Sequence, residues 1–494
     1  MSAISRTLGA SLLALTAGIG AAQAQHNDIT VAMQLEPPHL DPTSAAAQAI
    51  DSVVYTNVFE GLTKFQGDGS VVPALAESWD ISDDGLTYTF HLHDGVTFHD
   101  GSTMDAEDVK FSLDRARAED STNAQKALFG SIANVEVVDP LTVKVTLTEP
   151  NGMFLFNMAW GDAVIVAPES IENIQTEPVG TGAYAFENWV QGDRVELKRY
   201  ADYWGDEPAI ENVTFKFISD PTAAFSAMMA EDIDVFAGFP APENVPQFEA
   251  DPRFQVLVGS TEGETILAMN NAEPPLDDVK VREAISHAID RQALIDGALF
   301  GYGTPIGTHF APHNPAYVDL TEQSAYDPEL SKKLLEEAGQ SEGLTLSLKL
   351  PPPSYARRGG EIIAAQLAEV GITAEISNLE WAQWLEEVFT GKNFDMTIVS
   401  HTEPMDIGIY ARPDYYFQYD NPDFQELMTE LNRTTDEAKR TEMLGEAQKM
   451  IADDYVNAYL FQLAYITIAK AGIEGLWTNL PTAAIDMTEV TWND

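Results

Sequence analysis

The segment from Ser400 to Arg412 brings ionisable side chains of both signs close together in the chain. Glu403 and Asp406 are carboxylates, and Arg412 supplies a guanidinium within the same stretch. A carboxylate can hold an ammonium group, and a guanidinium can bind a carboxylate through two parallel hydrogen bonds. The combination therefore suits a zwitterionic solute. The alternative is that these residues are surface charges in a loop.

Aromatic residues lie near this segment in the sequence. Trp381 and Trp384 share one face if the stretch that contains them is helical. Tyr410 belongs to a further aromatic group that continues to Phe417. Aromatic walls suit a flat, cationic or sugar ligand, and core packing is the alternative explanation.

The sequence lacks the motifs of several large enzyme classes. It contains no G-x-S-x-G elbow, no P-loop and no H-E-x-x-H. It has no cysteine, which excludes thiol nucleophiles, cysteine zinc sites and disulfides. The glycine-rich stretch Gly301–Gly307 has the wrong spacing for a dinucleotide and is interpreted as a loop. We expect neither enzymatic activity nor a cofactor, and a secreted hydrolase is the alternative from another class.

Histidines occur in two groups. His91 and His93 would share one strand face, with His99 close by, and could bind a metal. The alternative, which we favour, is that they are polar residues of a hairpin. His309 and His313 are interpreted in the same way as polar loop residues, so the sequence predicts no metal site.

Apolar periodicity predicts a change of architecture along the chain. Alternating residues indicate strands such as Thr87–His93, so residues 60–180 are strand-rich, with a helix near Ala106–Ala116. Beyond residue 270 helices and strands alternate, which indicates an α/β lobe with parallel pairing. One of these helices begins at Asp327-Pro328 and ends at Gly339. Asn271–Pro275 is interpreted as a crossing between lobes.

Length and charge limit the class of protein. A chain of 494 residues exceeds the roughly 250–300 residues that one core can organise, so two or three domains are expected. A net charge of −51 should repel nucleic acid and anionic lipid. Solubility in a salty medium explains this acidity, and a field that attracts cations is the alternative.

Residues 1–24 are predicted to form a cleavable signal peptide. Arg6 precedes an apolar run from Leu8 to Ile19, and Ala22-Gln23-Ala24 is a cleavage site. An N-terminal membrane anchor is the alternative. Later apolar runs stay well below the ~20 residues of a transmembrane helix. We therefore expect a soluble periplasmic protein.

Short segments follow one another in a specific order. The first block holds GLTKF (61–65), PALAESW (73–79), DDGLTYTF (83–90), DGVTFHDG (94–101) and AEDVKFSL (106–113). Later segments are GTGAYAF (180–186), YWG (203–205) and PLDDVKVREAI (275–285). This combination closely resembles extracellular solute-binding protein family 5, the dipeptide-, oligopeptide- and nickel-binding proteins of ABC importers. The resemblance covers essentially the whole mature chain.

The resemblance implies an α/β, two-lobed periplasmic-binding-protein fold of type II, cluster C, with an extra strand-rich inserted domain. Lobe I would comprise residues 25–60, 185–265 and 466–494, the inserted domain 61–184, and lobe II 266–465. A solute between the lobes favours the closed form only by its difference in affinity for the two forms. The expected partner of this monomer is an ABC permease in the inner membrane.

The resemblance also implies where the ligand binds. In the family, contacts come from an early segment, which here contains Glu36 and His39, and from a late one, which contains His401, Glu403 and Asp406. Trp381, Trp384, Tyr410 and Arg412 complete the candidate set. Peptide-binding members usually hold the amino group with an aspartate where this chain has Ser400. A histidine contacts nickel in nickel-binding relatives, which is an alternative role for His401.

The sequence therefore predicts a binding protein for a peptide or another small amino-containing organic solute. An oligosaccharide, an opine or a nickel chelate is the alternative ligand. A chemosensory or chaperone role, in which another partner replaces the permease, is a further alternative.

Overall fold

A computed structural model describes residues 26–44 and 47–493. The predicted signal peptide, residues 1–24, lies outside these ranges. Within them, every helix is too short or too polar to cross a membrane.

Helices and strands alternate through the described ranges. The strands are β1 (Asp28–Met33), β2 (Thr63–Phe65), β3 (Val71–Pro73), β4 (Ala76–Ile81), β5 (Thr87–Leu92), β6 (Ile132–Asp139), β7 (Thr142–Leu147), β8 (Tyr184–Val190), β9 (Arg194–Arg199), β10 (Asn212–Phe217), β11 (Val235–Phe236), β12 (Phe254–Met269), β13 (Gly303–Pro305), β14 (Leu344–Leu350), β15 (Ile372–Asn378), β16 (Met396–His401), β17 (Asn457–Lys470), β18 (Ile473–Glu474) and β19 (Thr491–Trp492).

The α-helices are α1 (Gln48–Val54), α2 (Ala106–Arg117), α3 (Phe154–Asn157), α4 (Pro221–Met229), α5 (Val245–Glu249), α6 (Val279–His287), α7 (Arg291–Leu299), α8 (Pro328–Glu337), α9 (Ser354–Glu369), α10 (Trp381–Trp384), α11 (Pro422–Arg433) and α12 (Glu437–Asp453). Short 3-10 helices cover Lys126–Phe129, Gly161–Ala163, Pro168–Ser170, Pro242–Asn244, Thr321–Ser324 and Asp406–Ala411, and a π-helix covers Leu385–Thr390.

One sheet of eleven strands extends through most of the molecule. Its order is β15-β14-β16-β12-β17-β11-β1-β10-β9-β8, and β13 pairs with β17 beside this path. β14 runs parallel to both β15 and β16, which confirms the predicted parallel pairing. A separate antiparallel sheet has the order β4-β5-β7-β6.

Buried apolar residues divide among these sheets. Here lobe I denotes the part with β1 and β8–β11, lobe II the part with β13–β16 and α6–α12, and the inserted domain the part with α2 and β4–β7. The inserted domain has its own core around Phe90 and Val143. In lobe II the sheet carries one core on each face, with Leu267 and Met269 on one side and Ile266 and Ala268 on the other. This alternation is the period of two expected of a strand.

Two long strands, β12 and β17, join the lobes. β12 begins at Phe254 in a lobe I cluster and ends at Met269 in lobe II, and β17 returns antiparallel to it. The pairing register shifts between Ser260 and Glu264. Such a bulge bends a strand locally, so the strand pair bends where it passes from one lobe to the other. The interpretation of Asn271–Pro275 as the crossing is wrong, because this turn follows β12 inside lobe II.

Helix boundaries follow side-chain caps and glycines. The Asp327 carboxylate accepts hydrogen bonds from the backbone N–H groups of Glu329 and Leu330 at the start of α8. Gly339, with φ of 77°, follows the end of that helix, and both ends confirm the prediction. The interpretation of Gly301–Gly307 as a loop needs a correction, because its central residues form β13 on β17.

Glu60 lies where lobe I continues into the inserted domain. Its buried carboxylate accepts hydrogen bonds from Thr181 Oγ1 (2.9 Å), Tyr203 OH (3.0 Å) and Trp204 Nε1 (2.9 Å). Burial raises the pKa of Glu60, and these three donors offset part of the increase. One side chain therefore ties together three segments that are distant in sequence.

The segment Gly180–Gly182 passes close to the backbone of Asn57 and Val58. Gly182 N donates to Val58 O (2.9 Å). His99 supports the segment from the inserted domain, since its Nε2 donates to Gly182 O (2.8 Å) and its Nδ1 accepts from Gly180 N (3.3 Å). Burial lowers the pKa of His99 to about 4, so the ring is neutral.

The last described residues return to lobe I. Ile485, Met487 and Val490 lie in the core around β1. The Asn57 side chain binds this tail at two points, donating to Ile485 O (2.9 Å) and accepting from Met487 N (3.0 Å). The lobe I core is therefore completed by residues near both ends of the described chain.

Asp162 is predicted to make stability depend on pH. It is 7% exposed, its Oδ1 has no hydrogen-bond partner in the described structure, and burial, with the Asp41 charge adding, raises its pKa to about 7. The folded protein therefore takes up a proton that the unfolded chain releases near pH 4. The free energy of unfolding should fall as the pH rises from about 4 to about 7.

Asp162→Asn should remove this dependence. At pH 8 we expect the variant to be more stable than the parent by about 1–2 kcal/mol, and at pH 4 the difference should largely disappear. Thermal melts at the two pH values measure this. Asp120→Asn, at an exposed position, is the matched control, and an equal gain at both pH values would contradict the assignment.

Candidate functional site

The carboxyl ends of β1 and β16 both point to the boundary between the lobes. β12 leaves lobe I at the bulge before Glu264, and β16 runs antiparallel to it with His401 opposite Glu264. β1 is parallel to β11, which is antiparallel to β17, so β1 also runs toward lobe II. The segments that follow Met33 and His401 therefore meet this boundary from opposite sides, where α/β sheets commonly bind ligands.

Beyond β16, three side chains form a compact cluster. Asp406 opens a short 3-10 helix after Met405, whose φ of 61° turns the chain. The Asp406 carboxylate accepts hydrogen bonds from His309 Nε2 (2.8 Å) and from His401 Nδ1 (3.2 Å). His309 and His401 are buried, and the Asp406 side chain is 13% exposed. We call these three residues the His–Asp–His cluster.

Tyrosine hydroxyls occupy the other nitrogen of each ring in the cluster. Tyr410 OH lies 3.1 Å from His309 Nδ1, and Tyr416 OH lies 3.2 Å from His401 Nε2. Asn457 Nδ2 donates in turn to Tyr410 OH (3.1 Å). These contacts fix the orientation of both rings, because each nitrogen has an assigned partner.

The carboxylate of the cluster is ionised at neutral pH. Burial lowers the pKa of His309 despite the neighbouring Asp406, which keeps this imidazole neutral. Burial alone would raise the pKa of Asp406, but its contacts with His309 and His401 outweigh that effect and hold the pKa below its ordinary value. Asp406 is therefore an ionised carboxylate that reaches the surface at the lobe boundary.

Two more carboxyl groups lie on the neighbouring strand. Glu262 accepts from His313 Nε2 (2.7 Å), and His313 Nδ1 contacts Ser260 Oγ (2.7 Å). Glu264 is 3% exposed, and its Oε2 has no hydrogen-bond partner among the described residues. Burial, followed by the charges of Glu262 and Asp406, raises the pKa of Glu264 well above its ordinary value. The surroundings of Glu264 therefore disfavour its ionised form.

Ser400 lies on the opposite face of β16 from His401, since successive strand residues alternate. Its Oγ is buried without a hydrogen-bond partner in the described ranges, and its backbone N–H donates to Tyr355 OH (3.1 Å). The Asp406 carboxylate contacts His401, whose side chain is on the other face of β16 from the Ser400 hydroxyl.

Aromatic and charged candidates differ in exposure. Trp381 is 44% exposed, whereas Trp384 is 4% exposed and donates from Nε1 to Thr397 Oγ1 (2.9 Å). Tyr410 is fully buried, and Glu403 is exposed. The exposed Arg412 guanidinium stacks over the Tyr415 ring at 4.5 Å.

In the early segment, the candidate ligand residues Glu36 and His39 each have a hydrogen-bond partner of their own. The Glu36 carboxylate accepts from Trp189 Nε1 (3.0 Å) and Gly192 N (2.8 Å), which attaches the segment to the β8–β9 hairpin. His39 Nδ1 accepts from Asp41 N (3.2 Å). Both are partly exposed, and Leu35 beside them is 64% exposed.

Several residues of this region escaped the sequence reasoning. The sequence predicts His309 as a polar loop residue, and Glu264 is not among the predicted ligand residues. Leu385 (49% exposed) and Phe389 (39% exposed) extend the apolar surface of Trp381 at helical spacing. That spacing was the available signal for Leu385 and Phe389, and the repeated acid at every second position of β12 was the signal for Glu264.

The histidines of the inserted domain do not converge. His91 Nε2 contacts Asp80 (3.0 Å), His93 lies 4.0 Å from Glu77, and the partly buried His99 contacts Gly182 O (2.8 Å). Each therefore has a separate local partner.

Comparison with known proteins relates this arrangement to binding proteins. Residues 70–423 match the sequence profile of the bacterial extracellular solute-binding proteins, family 5 Middle. The glutathione-binding protein GsiB of Salmonella paratyphi A is 35% identical over 368 residues, which cover 73% of this chain and 71% of that protein. The dipeptide-binding protein of Escherichia coli K12 is 28% identical over 90% of each chain. The structure of HbpA2 from Haemophilus parasuis matches 94% of this chain and 100% of its own, with a TM-score of 0.87 and 25% identity.

Proposed function

This chain belongs to the bacterial extracellular solute-binding proteins of family 5, and we propose that the solute it captures carries a positively charged amino group. The family supplies periplasmic substrate-binding proteins to ABC importers, and this chain is one of them. Its relatives bind solutes and are not enzymes. The proposal therefore concerns the ligand, the residues that hold it and the details of delivery.

The ionised Asp406 carboxylate is the observation that carries the proposal. It is partly exposed at the lobe boundary, it accepts hydrogen bonds from the two histidines of the cluster, and Glu403 adds an exposed carboxylate nearby. A carboxylate in such a partly dry site binds an ammonium group more strongly than one in water. Two relatives are a glutathione-binding and a dipeptide-binding protein, which favours a small peptide as the solute.

We assign the predicted ligand residues to the two sides of the boundary. His401, Glu403, Asp406, Trp381 and Arg412 form the lobe II side. Trp384 and Tyr410 support it from the core. Glu36 and His39 belong to the lobe I side, beside the exposed Leu35. The apolar surface of Trp381, Leu385 and Phe389 suits a hydrophobic side chain of the solute.

The remaining expectations complete the proposal. Residues 1–24 direct export, and the mature protein acts as a monomer that breaks no bond. Lobe I comprises residues 25–60, 185–265 and 466–494, the inserted domain 61–184, and lobe II 266–465. Closure around the solute uses the bulge in β12, and a permease in the inner membrane recognises the closed form.

A thermal-shift screen of residues 25–494 in buffer with a chelator tests the ligand class. The panel holds dipeptides, glutathione, other oligopeptides, opines and oligosaccharides, with nickel salts measured separately without chelator. A ligand at 100 times its dissociation constant adds about 2.7 kcal/mol to the free energy of unfolding. A peptide hit is the expected result. Stabilisation by sugars alone would contradict the proposed charged amino group.

Asp406→Asn should weaken binding of the identified peptide by about 10–100-fold, because a charge-assisted hydrogen bond contributes about 1.5–3 kcal/mol. Isothermal titration measures the loss. An N-acetylated form of the same peptide should bind the parent protein poorly and lose little more in the variant. Glu442→Gln, at an exposed position of α12, is the control. Equal affinity of parent and variant would exclude Asp406 as the amino-group site.

A further inference from the structure

The His–Asp–His cluster has the dimensions of a metal site. One donor atom each from His309, His401 and Asp406 lies within 4.8 Å of the other two. Around a tetrahedral ion with bonds of about 2.0–2.1 Å, neighbouring donors lie about 3.3 Å apart. His309 Nε2 lies 2.8 Å from Asp406 Oδ1, and His401 Nδ1 lies 3.2 Å from Oδ2 of the same carboxylate. Small movements of the side chains would therefore admit an ion between the three donors.

The surroundings of the two rings also match those of metal ligands. A histidine that binds a metal through one nitrogen usually has a hydrogen-bond partner on the other, which orients the ring. Here Tyr410 and Tyr416 are those partners, at 3.1 and 3.2 Å. Asn457 in turn holds the Tyr410 hydroxyl. Burial of His309 and His401 keeps competing water away from the donor atoms.

A buried carboxyl oxygen without a partner is an independent sign of a missing cation. Buried polar atoms are almost always hydrogen-bonded, so an exception needs an explanation. Glu264, which pairs with His401 across the two strands, has such an oxygen and is 3% exposed. The Asp406 carboxylate accepts hydrogen bonds from His309 and His401. An incoming cation would therefore meet this carboxylate and, on the neighbouring strand, a carboxyl oxygen without a partner among the described residues.

From this geometry we propose that His309, His401 and Asp406 bind one divalent transition-metal ion of the class of Zn²⁺ and Ni²⁺. Two imidazoles and one carboxylate suit these ions, whereas Mg²⁺ and Ca²⁺ prefer oxygen ligands throughout. Three protein donors leave a coordination position open. A carboxylate oxygen of a solute can occupy that position. The ion site itself does not depend on which organic solute the protein carries.

The direct test uses metal ions alone. Mature protein is treated with chelator, dialysed and titrated calorimetrically with Zn²⁺, Ni²⁺ and Mg²⁺ in the absence of organic solute. We expect one equivalent of Zn²⁺ or Ni²⁺ to bind and Mg²⁺ not to bind. Co²⁺ should give the visible absorption of a site with nitrogen ligands and fewer than six donors. Absence of this spectrum together with absence of Zn²⁺ binding would overturn the proposal.

Variants separate the cluster from other histidines. Asp406→Asn and His401→Gln should each lower the affinity for Zn²⁺ by about 100-fold, since even the loss of an outer partner costs 10–100-fold. The double variant His91→Gln/His93→Gln removes two histidines that lie beside carboxylates and are more exposed than those of the cluster. It should bind Zn²⁺ with the affinity of the parent. The opposite pattern would assign the ion to the surface.

Tyr416→Phe keeps the test decisive if a cluster variant fails to fold. It removes only the hydroxyl that contacts His401 Nε2. We expect about a 10-fold loss of Zn²⁺ affinity with a normal melting profile in chelator. Unchanged affinity in every folded variant would mean that the three residues form a hydrogen-bond network and no metal site.

Discussion

Glu60→Ala is expected to destabilise the protein by about 4 kcal/mol, because it removes the buried acceptor of three side-chain donors. Thr181 Oγ1, Tyr203 OH and Trp204 Nε1 all donate to this carboxylate. Each buried donor left unsatisfied costs about 1–3 kcal/mol, and the cavity adds to the loss. Since these donors join lobe I to the inserted domain, the urea midpoint of both units should fall.

Two further variants test this prediction: Glu60→Gln is the conservative substitution, and Glu77→Ala is the control. The amide of Glu60→Gln keeps one acceptor oxygen, so we expect an intermediate loss. Glu77, which is exposed on β4, should tolerate alanine with little change. Differential scanning calorimetry shows in addition whether the inserted domain still unfolds together with lobe I. A Glu60→Ala protein as stable as Glu77→Ala would refute the role of this carboxylate.

Gly182→Ala is expected to destabilise lobe I by about 3 kcal/mol, through a clash with main-chain atoms. A Cβ at this position would lie 2.3 Å from Asn57 O and 2.8 Å from Val58 C. Backbone atoms cannot rotate away as a side chain can, so the strands and the tail must shift. We therefore expect a loss of stability at the upper end of the range that is usual for overpacking. Because Asn57 also binds the C-terminal tail, protease cleavage of that tail should become faster.

Gly445→Ala is the matched control. Gly445 is buried in α12, and a Cβ there would lie 3.5 Å from Val318 Cγ2, an ordinary contact. Alanine is favoured over glycine inside a helix by about 1 kcal/mol, so this variant should be as stable as the parent or slightly more stable. If the two glycine variants melted alike, the close approach at Gly182 would not be the cause.

The parts of the fold that local sequence determines were predictable. Strand β5 follows from the alternation of its residues, and α8 from Asp327, Pro328 and Gly339, because period and capping are properties of neighbouring residues. The crossing between lobes left no such signal. Its bulge is defined by the pairing of Ser260 with Ala464, a partner too distant in sequence for a local pattern. The short strand β13 was missed for the same reason.

The candidate site was predictable in composition but not in geometry. Asp406 and His401 are close in sequence and were singled out together. His309 joins them from 97 residues away, so only the tertiary fold reveals the third member. Spacing alone placed Trp381 and Trp384 on one helical face, yet one ring is 44% and the other 4% exposed. That difference arises from the neighbours of α10, which a helical period does not describe.

The return of the tail to lobe I has a consequence for the order of events during synthesis. Residues from Ile485 to Val490 fill a core whose other members, such as Val31 and Val53, emerge from the ribosome first. The first part of the chain must therefore wait, with apolar surface exposed, until the rest has been made, whereas lobe II and the inserted domain are continuous segments that can fold earlier. A chain with this topology gains most from a chaperone that keeps its first part unfolded until synthesis is complete. A chain released before the last residues are made would have an incomplete lobe I core.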